Sequence, residues 1–241
     1  MSVEELTSIG VQVVDAIKAR GGQARLLGGV AVELRTTPRP EPLRRRVDDV
    51  DVICRRVDRR IAEASLSDVG LEPDREINVA HGSSRQVWWT ADRRLHLDLF
   101  LGSFRMCHTL ELEERLNASE DGPALGIGDL LLTKLQIVRL TGKDVRDLGA
   151  LLRTNEPDGE RIADACARDW GLFTTVDDNL AALPPLVREI DPDAADIVQS
   201  RAEQLRADIA AAPKTRAWRL RSRLGRRVRW FEEPEEVIDE E

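Results

Sequence analysis

Apolar residues recur at helical spacing at the start of the chain. Val3, Leu6, Ile9, Val13 and Ile17 mark one face of an amphipathic helix over residues 3–20, ended by Gly21-Gly22. The pattern then shortens. Residues 23–27 read as a strand entering a glycine turn, residues 30–35 as a short helix, and residues 37–46 as a loop punctuated by Pro38, Pro40 and Pro42. Residues 47–54 alternate acid and aliphatic side chains and read as a second strand, and residues 61–69 as a helix ending near Gly70. Residues 71–116 read as β-rich. Strands are expected over 85–90 and 95–101, with a turn at Ala91-Asp92-Arg93 between them, and a further strand over 106–116. From Ile127 the spacing is helical again: a helix through Ile127, Leu131, Leu135 and Val138, a break at Thr141-Gly142, a helix with Val145, Leu148 and Leu152 inward, then helices over about 159–169, 174–187 and 194–212. The fold class is therefore α+β, a mixed sheet in the N-terminal part followed by a helical part. The polar stretch 117–126, with Gly122 and Pro123, is the expected boundary. The domains are expected at 1–125 and 126–213, with 214–241 as a basic segment and acidic tail.

Composition narrows the class without naming it. The 241 residues are 41% hydrophobic and 33% charged, which describes a water-soluble globular chain. No apolar run approaches a membrane span, so no membrane association is expected. The acidic N-terminus lacks the order of a signal peptide, and the three cysteines, scattered and odd in number, suit a reducing compartment. A cytoplasmic location is the resulting expectation. Net charge is −8, so the molecule as a whole does not advertise nucleic-acid binding; the cations are concentrated near the end.

The candidate chemistry lies in residues 26–53. Gly28 and Gly29 close the first strand, where glycine permits positive φ and close backbone approach. The amides that follow, at a helix start, suit a phosphate. On the next strand Asp49 and Asp51 share one face, while Val50 and Val52 take the other. Two carboxylates a strand repeat apart suit a hard cation, Mg²⁺ or Mn²⁺. Asp98, inside Leu-His-Leu-Asp-Leu-Phe-Leu, is expensive to bury without a partner. If its strand lies beside that of Asp49 and Asp51, three carboxylates converge as two-metal phosphoryl transfer requires. The plainer alternative leaves Asp49 and Asp51 at a strand end in solvent and pairs Asp98 with an arginine.

Gly28-Gly29 with its helix, then Arg45-x-x-x-Asp49-Val50-Asp51-Val52, then Asp98 on a later strand, resembles the nucleotidyltransferase fold of the polymerase-β superfamily. Lys134-x-x-x-x-Arg139 followed by Lys143-Asp144-x-x-Asp147-Leu148 resembles the motifs of abortive-infection nucleotidyltransferase toxins of the AbiEii type. The likeness covers residues 24–152. It implies an enzyme that moves a nucleoside monophosphate from a nucleoside triphosphate to an acceptor. Asp49, Asp51 and Asp98 would hold metal and act in catalysis, with Lys134 and Asp144 as further catalytic groups. Gly28, Gly29, Arg45 and Lys134 would bind the nucleotide. The superfamily's turn is commonly Gly-Ser; here Gly29 and Val30 bring no hydroxyl, and backbone amides would have to serve. The resemblance also makes RNA, such as a tRNA 3′ end, the expected acceptor, and an antitoxin protein a candidate partner. A small molecule or a protein side chain is the other acceptor class, and a catalytically silent relative that binds RNA or an antitoxin is the third reading.

Several of these residues have simpler roles open to them. Lys134, on a helix lined by Leu130, Leu131 and Leu135, can snorkel. Thr141 and Asp144 fit a capping box, and Asp147 can pair with Arg146 or Arg139. His96 shares the Asp98 face but reads as a structural group. The run Lys214, Arg216, Arg219, Arg221, Arg223, Arg226, Arg227 and Arg229, interleaved with Trp218 and Trp230, suits an RNA backbone with aromatic stacking. It equally suits a helix paired with the acidic tail.

Overall fold

A computed structural model describes residues 1–117 and 122–233. Helix α1 (Val3–Ala19) opens with a capping box in which Ser2 and Glu5 satisfy each other's backbone amides. It is followed by β1 (Ala24–Leu27), α2 (Gly28–Arg35), β2 (Val50–Cys54), α3 (Arg59–Asp68), β3 (Leu71–Pro73), α4 (Arg75–His81), β4 (Arg85–Thr90) and β5 (His96–Leu101). The five strands form one mixed sheet in the order β1-β2-β5-β4-β3. β1 and β2 run antiparallel, β2 and β5 parallel, and the β4 pairings antiparallel. The α+β class and the helical C-terminal region follow the hydrophobic spacing.

The sheet's two faces explain the composition of its strands. Gly10 of α1 sits so close to Leu26 and Val50 that a methyl there would lie 2.8 Å from Leu26 Cδ2. α1 therefore covers the face bearing Leu26, Val50 and Val52. β5 is third of five strands and is buried from Leu97 onward, which makes Asp98 an interior carboxylate. The outer edge of β1 is closed by residues from the expected boundary stretch. Leu26 N–H donates to the Pro123 carbonyl (2.7 Å) and Leu125 N–H to the Leu26 carbonyl (2.9 Å), which protects an edge that would otherwise be open.

Three local expectations are corrected. Residues 71–84 contain a helix, α4, capped by Asp74, whose carboxylate accepts from the Glu76 and Ile77 amides. The expected strand over 106–116 is a hairpin, β6 (Ser103–Arg105) with β7 (Thr109–Glu111), followed by a short 3-10 turn. The acidic strand begins at Val50 rather than 47. β1 ends at Leu27, which pairs with Asp51, and the chain then turns into α2, so Asp48 and Asp49 have no strand to pair with on that side.

Backbone contacts divide the chain into two units. The first holds residues 1–37, 45–104 and 110–126; the second holds 38–44, 105–109 and the chain from Ile127. The second unit contains α5 (Ile127–Leu135), α6 (Gly142–Thr154), α7 (Gly159–Arg168), α8 (Trp170–Ile190), α9 (Pro192–Ala211) and the short α10 (Arg216–Ser222). α8 runs through Pro184 and Pro185, with Leu180, Leu183 and Val187 buried on either side of them. Residues 118–121 of the boundary stretch, and the acidic tail beyond Glu233, lie outside the described residues.

His108 lies buried in the second unit. Its Nε2 hydrogen-bonds Thr175 Oγ1 at 2.9 Å, and its backbone N–H donates to Gln136 Oε1 at 3.0 Å. Burial pushes the imidazole below its ordinary pKa, and the charges of Asp169 and Glu232 offset part of that. The folded state therefore binds the proton less readily than the unfolded chain, whose histidine titrates near pH 6.5. As pH falls through about 6.5 toward the folded value, the unfolded state gains protons first and stability is lost. Thermal melts between pH 7.5 and 5.5 should show the wild type losing more stability on acidification than His108→Gln. Equal slopes would remove His108 from the pH response.

Candidate functional site

Two of the three expected acids meet across one strand pair. Asp51 and Asp98 are register partners on the parallel strands β2 and β5, so their side chains leave the same face of the sheet from strands about 4.8 Å apart. Asp49 lies two residues before Asp51, half-buried and ahead of the first ladder pair. Its expected place on the strand is thus corrected. Among the described residues no group of three or more His, Cys, Asp or Glu side chains is gathered to hold a metal ion.

The glycine turn lies directly against Asp51. Gly28 has φ +66°, and a methyl on its Cα would lie 1.8 Å from Asp51 Oδ2. A methyl on Gly29 would lie 2.7 Å from Arg45 Nη2 and 2.9 Å from Val47 Cγ1. The turn therefore has a carboxylate against one glycine and a guanidinium against the next. The two glycines are the first residues of α2 rather than a turn before it, and Leu27 in the N-cap position supplies no side-chain cap to the first amides. Gly28, Gly29, Arg45 and Asp51 are thus brought together.

Asp98 has a partner that the sequence did not reveal. Arg85, on β4, donates from Nη2 to Asp98 Oδ2 at 2.6 Å. Asp98 is 3% exposed, and its Oδ1 is buried with no hydrogen-bond partner among the described residues; Arg85 Nε is likewise buried and unsatisfied. The guanidinium stands 5.7 Å from the Phe100 ring centroid. Burial alone would lower the Arg85 pKa, but the Asp98 hydrogen bond and the charges of Asp98, Asp51 and Asp49 together raise it. All three acids therefore act on this one cation. His96 packs its ring against Trp89 at 5.2 Å.

Lys134 and Asp144 belong to a second cluster, in the helical unit. Lys134 Nζ lies 3.3 Å from Asp144 Oδ1 and 3.1 Å from Asp147 Oδ2. Asp147 Oδ1 accepts from Arg39 Nη2 at 2.8 Å, and both of those side chains are fully buried. The expected pairing of Asp147 with Arg146 or Arg139 is thereby corrected to Arg39 and Lys134. Asp144 is the reciprocal partner of Thr141 in the capping box of α6, its Oδ2 accepting from the Thr141 hydroxyl at 2.7 Å. Arg39 escaped the sequence reading because a proline-rich loop is normally solvated; nothing in its spacing announces a buried ion pair.

The basic segment is largely occupied by its own unit. Arg226 donates to both carboxylate oxygens of Asp178 at 2.7 Å, Arg229 pairs with Glu233, and Arg221 donates to the Gly225 and Val228 carbonyls. Trp218 packs on Phe173 and Trp230 on Trp170. Arg216, Arg223 and Arg227 are exposed, and their side chains make no hydrogen bond or ion pair among the described residues.

No family model matches the chain, and no curated protein matches it.

The glycine turn yields a test that separates backbone strain from site contact. Gly21 also has positive φ, but a methyl there meets nothing. Gly21→Ala should therefore cost about 1 kcal/mol, from strain alone. Gly28→Ala adds the overlap with Asp51 and should cost more, in the range of about 1–3 kcal/mol or above. Urea unfolding of both variants checks this; equal losses would mean that Asp51 does not bear on Gly28.

Proposed function

We propose that the N-terminal unit is the nucleotide-binding and catalytic part of a metal-dependent nucleotidyltransferase, with RNA as the acceptor. The observation that carries the reading is the in-register meeting of Asp51 and Asp98 beside a glycine turn with no room for a side chain.

The residues fit a divalent cation on two counts. Asp98 Oδ1 is a buried acceptor with no donor among the described residues, and Gly28 leaves its space to the Asp51 carboxylate. The lack of a three-acid cage is compatible with Mg²⁺, which binds through one or two carboxylates together with substrate phosphates and water. Asp49 and Asp51, with Asp98 beside them, would hold the ion. When bound, it supplies positive charge for the triphosphate and the departing pyrophosphate. The amides opening α2, with Arg45 beside them, would hold phosphate oxygens by hydrogen bonds and charge. Asp98 Oδ1 would accept the proton of the acceptor hydroxyl, whose oxygen forms a bond to the α-phosphorus as the bond to pyrophosphate breaks. Lys134 and Asp144 carry their nucleotide roles by resemblance; their capping and ion-pair roles in the helical unit are compatible with it. Arg216, Arg223 and Arg227 are the exposed cations that support an RNA acceptor. Trp218 and Trp230 are half-buried against Phe173 and Trp170.

One observation favours a second reading. Asp98 Oδ2 is already held by Arg85, which suits a protein that binds nucleotide or RNA without turnover.

The protein should be incubated with each labelled nucleoside triphosphate, Mg²⁺ and total RNA, beside an Asp49→Ala/Asp51→Ala control. Label in RNA, lost in the control, is the expected result. Label in protein or in a small-molecule fraction would keep the enzyme and replace the acceptor. No transfer to any fraction would make the silent reading the better one.

A further inference from the structure

The sheet face that carries Asp51 and Asp98 also carries an aromatic pair. Trp89 on β4 is the register partner of His96 on β5, and the next pair on that face is Val87 with Asp98. The two rings therefore stand about 7 Å along the strands from Asp98, the rise of two residues. Trp88 and Leu97, on the opposite face, are buried, whereas Trp89 and His96 are half-buried. Asp74 Oδ2 accepts the Trp89 indole N–H at 3.1 Å, and the His96 ring is tilted by 48° against the indole rather than stacked flat on it. The indole is thus held in one orientation while part of it meets solvent. Arg93 adds a cation. It lies in the β4–β5 turn with φ +56°, the only positive φ at a non-glycine residue among the described residues. Glycine or asparagine would hold that conformation at less cost. The turn uses the Arg93 backbone, whose N–H donates to the Thr90 carbonyl at 2.8 Å, while Asp92 accepts from the Thr90 hydroxyl and the Arg94 amide. The exposed Arg93 guanidinium makes no hydrogen bond or ion pair among the described residues and stands 5.6 Å from the Trp89 ring centroid. An aromatic ring beside such a cation suits a nucleotide, the ring taking the base by its face and the cation taking the adjoining phosphate.

The order across the sheet says which nucleotide. The glycine turn follows β1, Asp51 lies on β2, Asp98 on β5 and Trp89 on β4. Phosphates held at the turn would lie on one side of Asp98, and the aromatic pair lies on the other. In an in-line displacement the acceptor hydroxyl approaches from the side opposite the departing pyrophosphate. We propose that Trp89, His96 and Arg93 form the acceptor subsite. Trp89, backed by His96, stacks on the last base of a single-stranded RNA 3′ end, Arg93 meets the phosphate before it, and the terminal ribose brings its hydroxyl to Asp98. The inference rests on the nucleotidyltransferase reading and names its acceptor as a chain-end nucleotide rather than a small molecule or a protein side chain.

Two RNAs that differ only in their last residue test this without reference to turnover. One is a short 5′-labelled single strand; the other ends in an abasic ribose, with the same phosphates and the same 3′-hydroxyl. Their affinities for the full-length protein would be read by fluorescence anisotropy, with Mg²⁺ and an unreactive nucleoside triphosphate analogue present. The wild type should bind the intact RNA about tenfold more tightly, as the loss of one stacked base implies. Trp89→Ala should bind both RNAs equally, and Trp89→Phe should restore most of the preference. Arg93→Gly should weaken both RNAs and flatten the salt dependence without lowering the melting temperature, because it removes a strained residue. The wild-type contrast and Arg93→Gly decide the matter even if Trp89→Ala does not fold. Equal affinity of the wild type for the two RNAs would overturn the inference, as would a preference that survives in Trp89→Ala. So would a Trp89→Ala protein that loses affinity for the triphosphate analogue but not for RNA. In each of these cases Mg²⁺-dependent binding of the analogue to the wild type leaves the nucleotidyltransferase reading standing. A wild type that binds neither analogue nor RNA would overturn both.

Discussion

Asp98 occupies the middle of the central strand with 3% of its surface exposed, where a lone carboxylate would be several kcal/mol too costly to keep. The N-terminal unit is arranged to meet that constraint. β4 runs antiparallel beside β5, with Val87 opposite Asp98, and brings Arg85 to the diagonal position two residues along. On the other side β2 runs parallel and brings Asp51 into register. The helix that begins at Gly28 then bends away within contact of Asp51. One buried charge thus ties together three strands and a helix start, and the same geometry sets two carboxylates beside a phosphate-suited turn.

The helical unit solves a comparable problem with a different set of residues. Asp147 is fully buried on α6 and is held by Arg39 and Lys134, whose chain positions lie far apart. Removing one partner of such a buried pair typically costs about 3–5 kcal/mol, because the other charge is stranded. That gives these residues a structural role whatever their part in chemistry. The cations of the C-terminal segment are engaged at the surface: Arg226 reaches Asp178 of α8, and Arg221 binds carbonyl oxygens of its own segment. A basic run in a sequence therefore overstates the charge available to a partner.

Periodicity made most of the fold legible. The amphipathic helices and the β4–β5 hairpin follow from spacing, turn residues and strand alternation. The misses have identifiable physical causes. Asp49 falls off the strand because its neighbour β1 stops at Leu27, and strand length depends on the partner as well as on the pattern. Arg85 was hidden because alternation places residues on faces but does not set the register between strands; a shift of one residue would have turned it away from Asp98. Helix α4 was hidden because seven residues are too few to show a helical period, and its signal was the capping Asp74. Arg39 was hidden inside a loop whose composition suggests solvent.

The central claim is that Asp51 and its surroundings form a metal-dependent nucleotide site. The most direct test is calorimetric titration of unreactive nucleoside triphosphate analogues into the wild type and Asp51→Asn, each with and without Mg²⁺. The account predicts binding that requires Mg²⁺ and that weakens at least about tenfold, ~1.4 kcal/mol, in Asp51→Asn. Absent binding, or binding indifferent to both Mg²⁺ and Asp51, would contradict it.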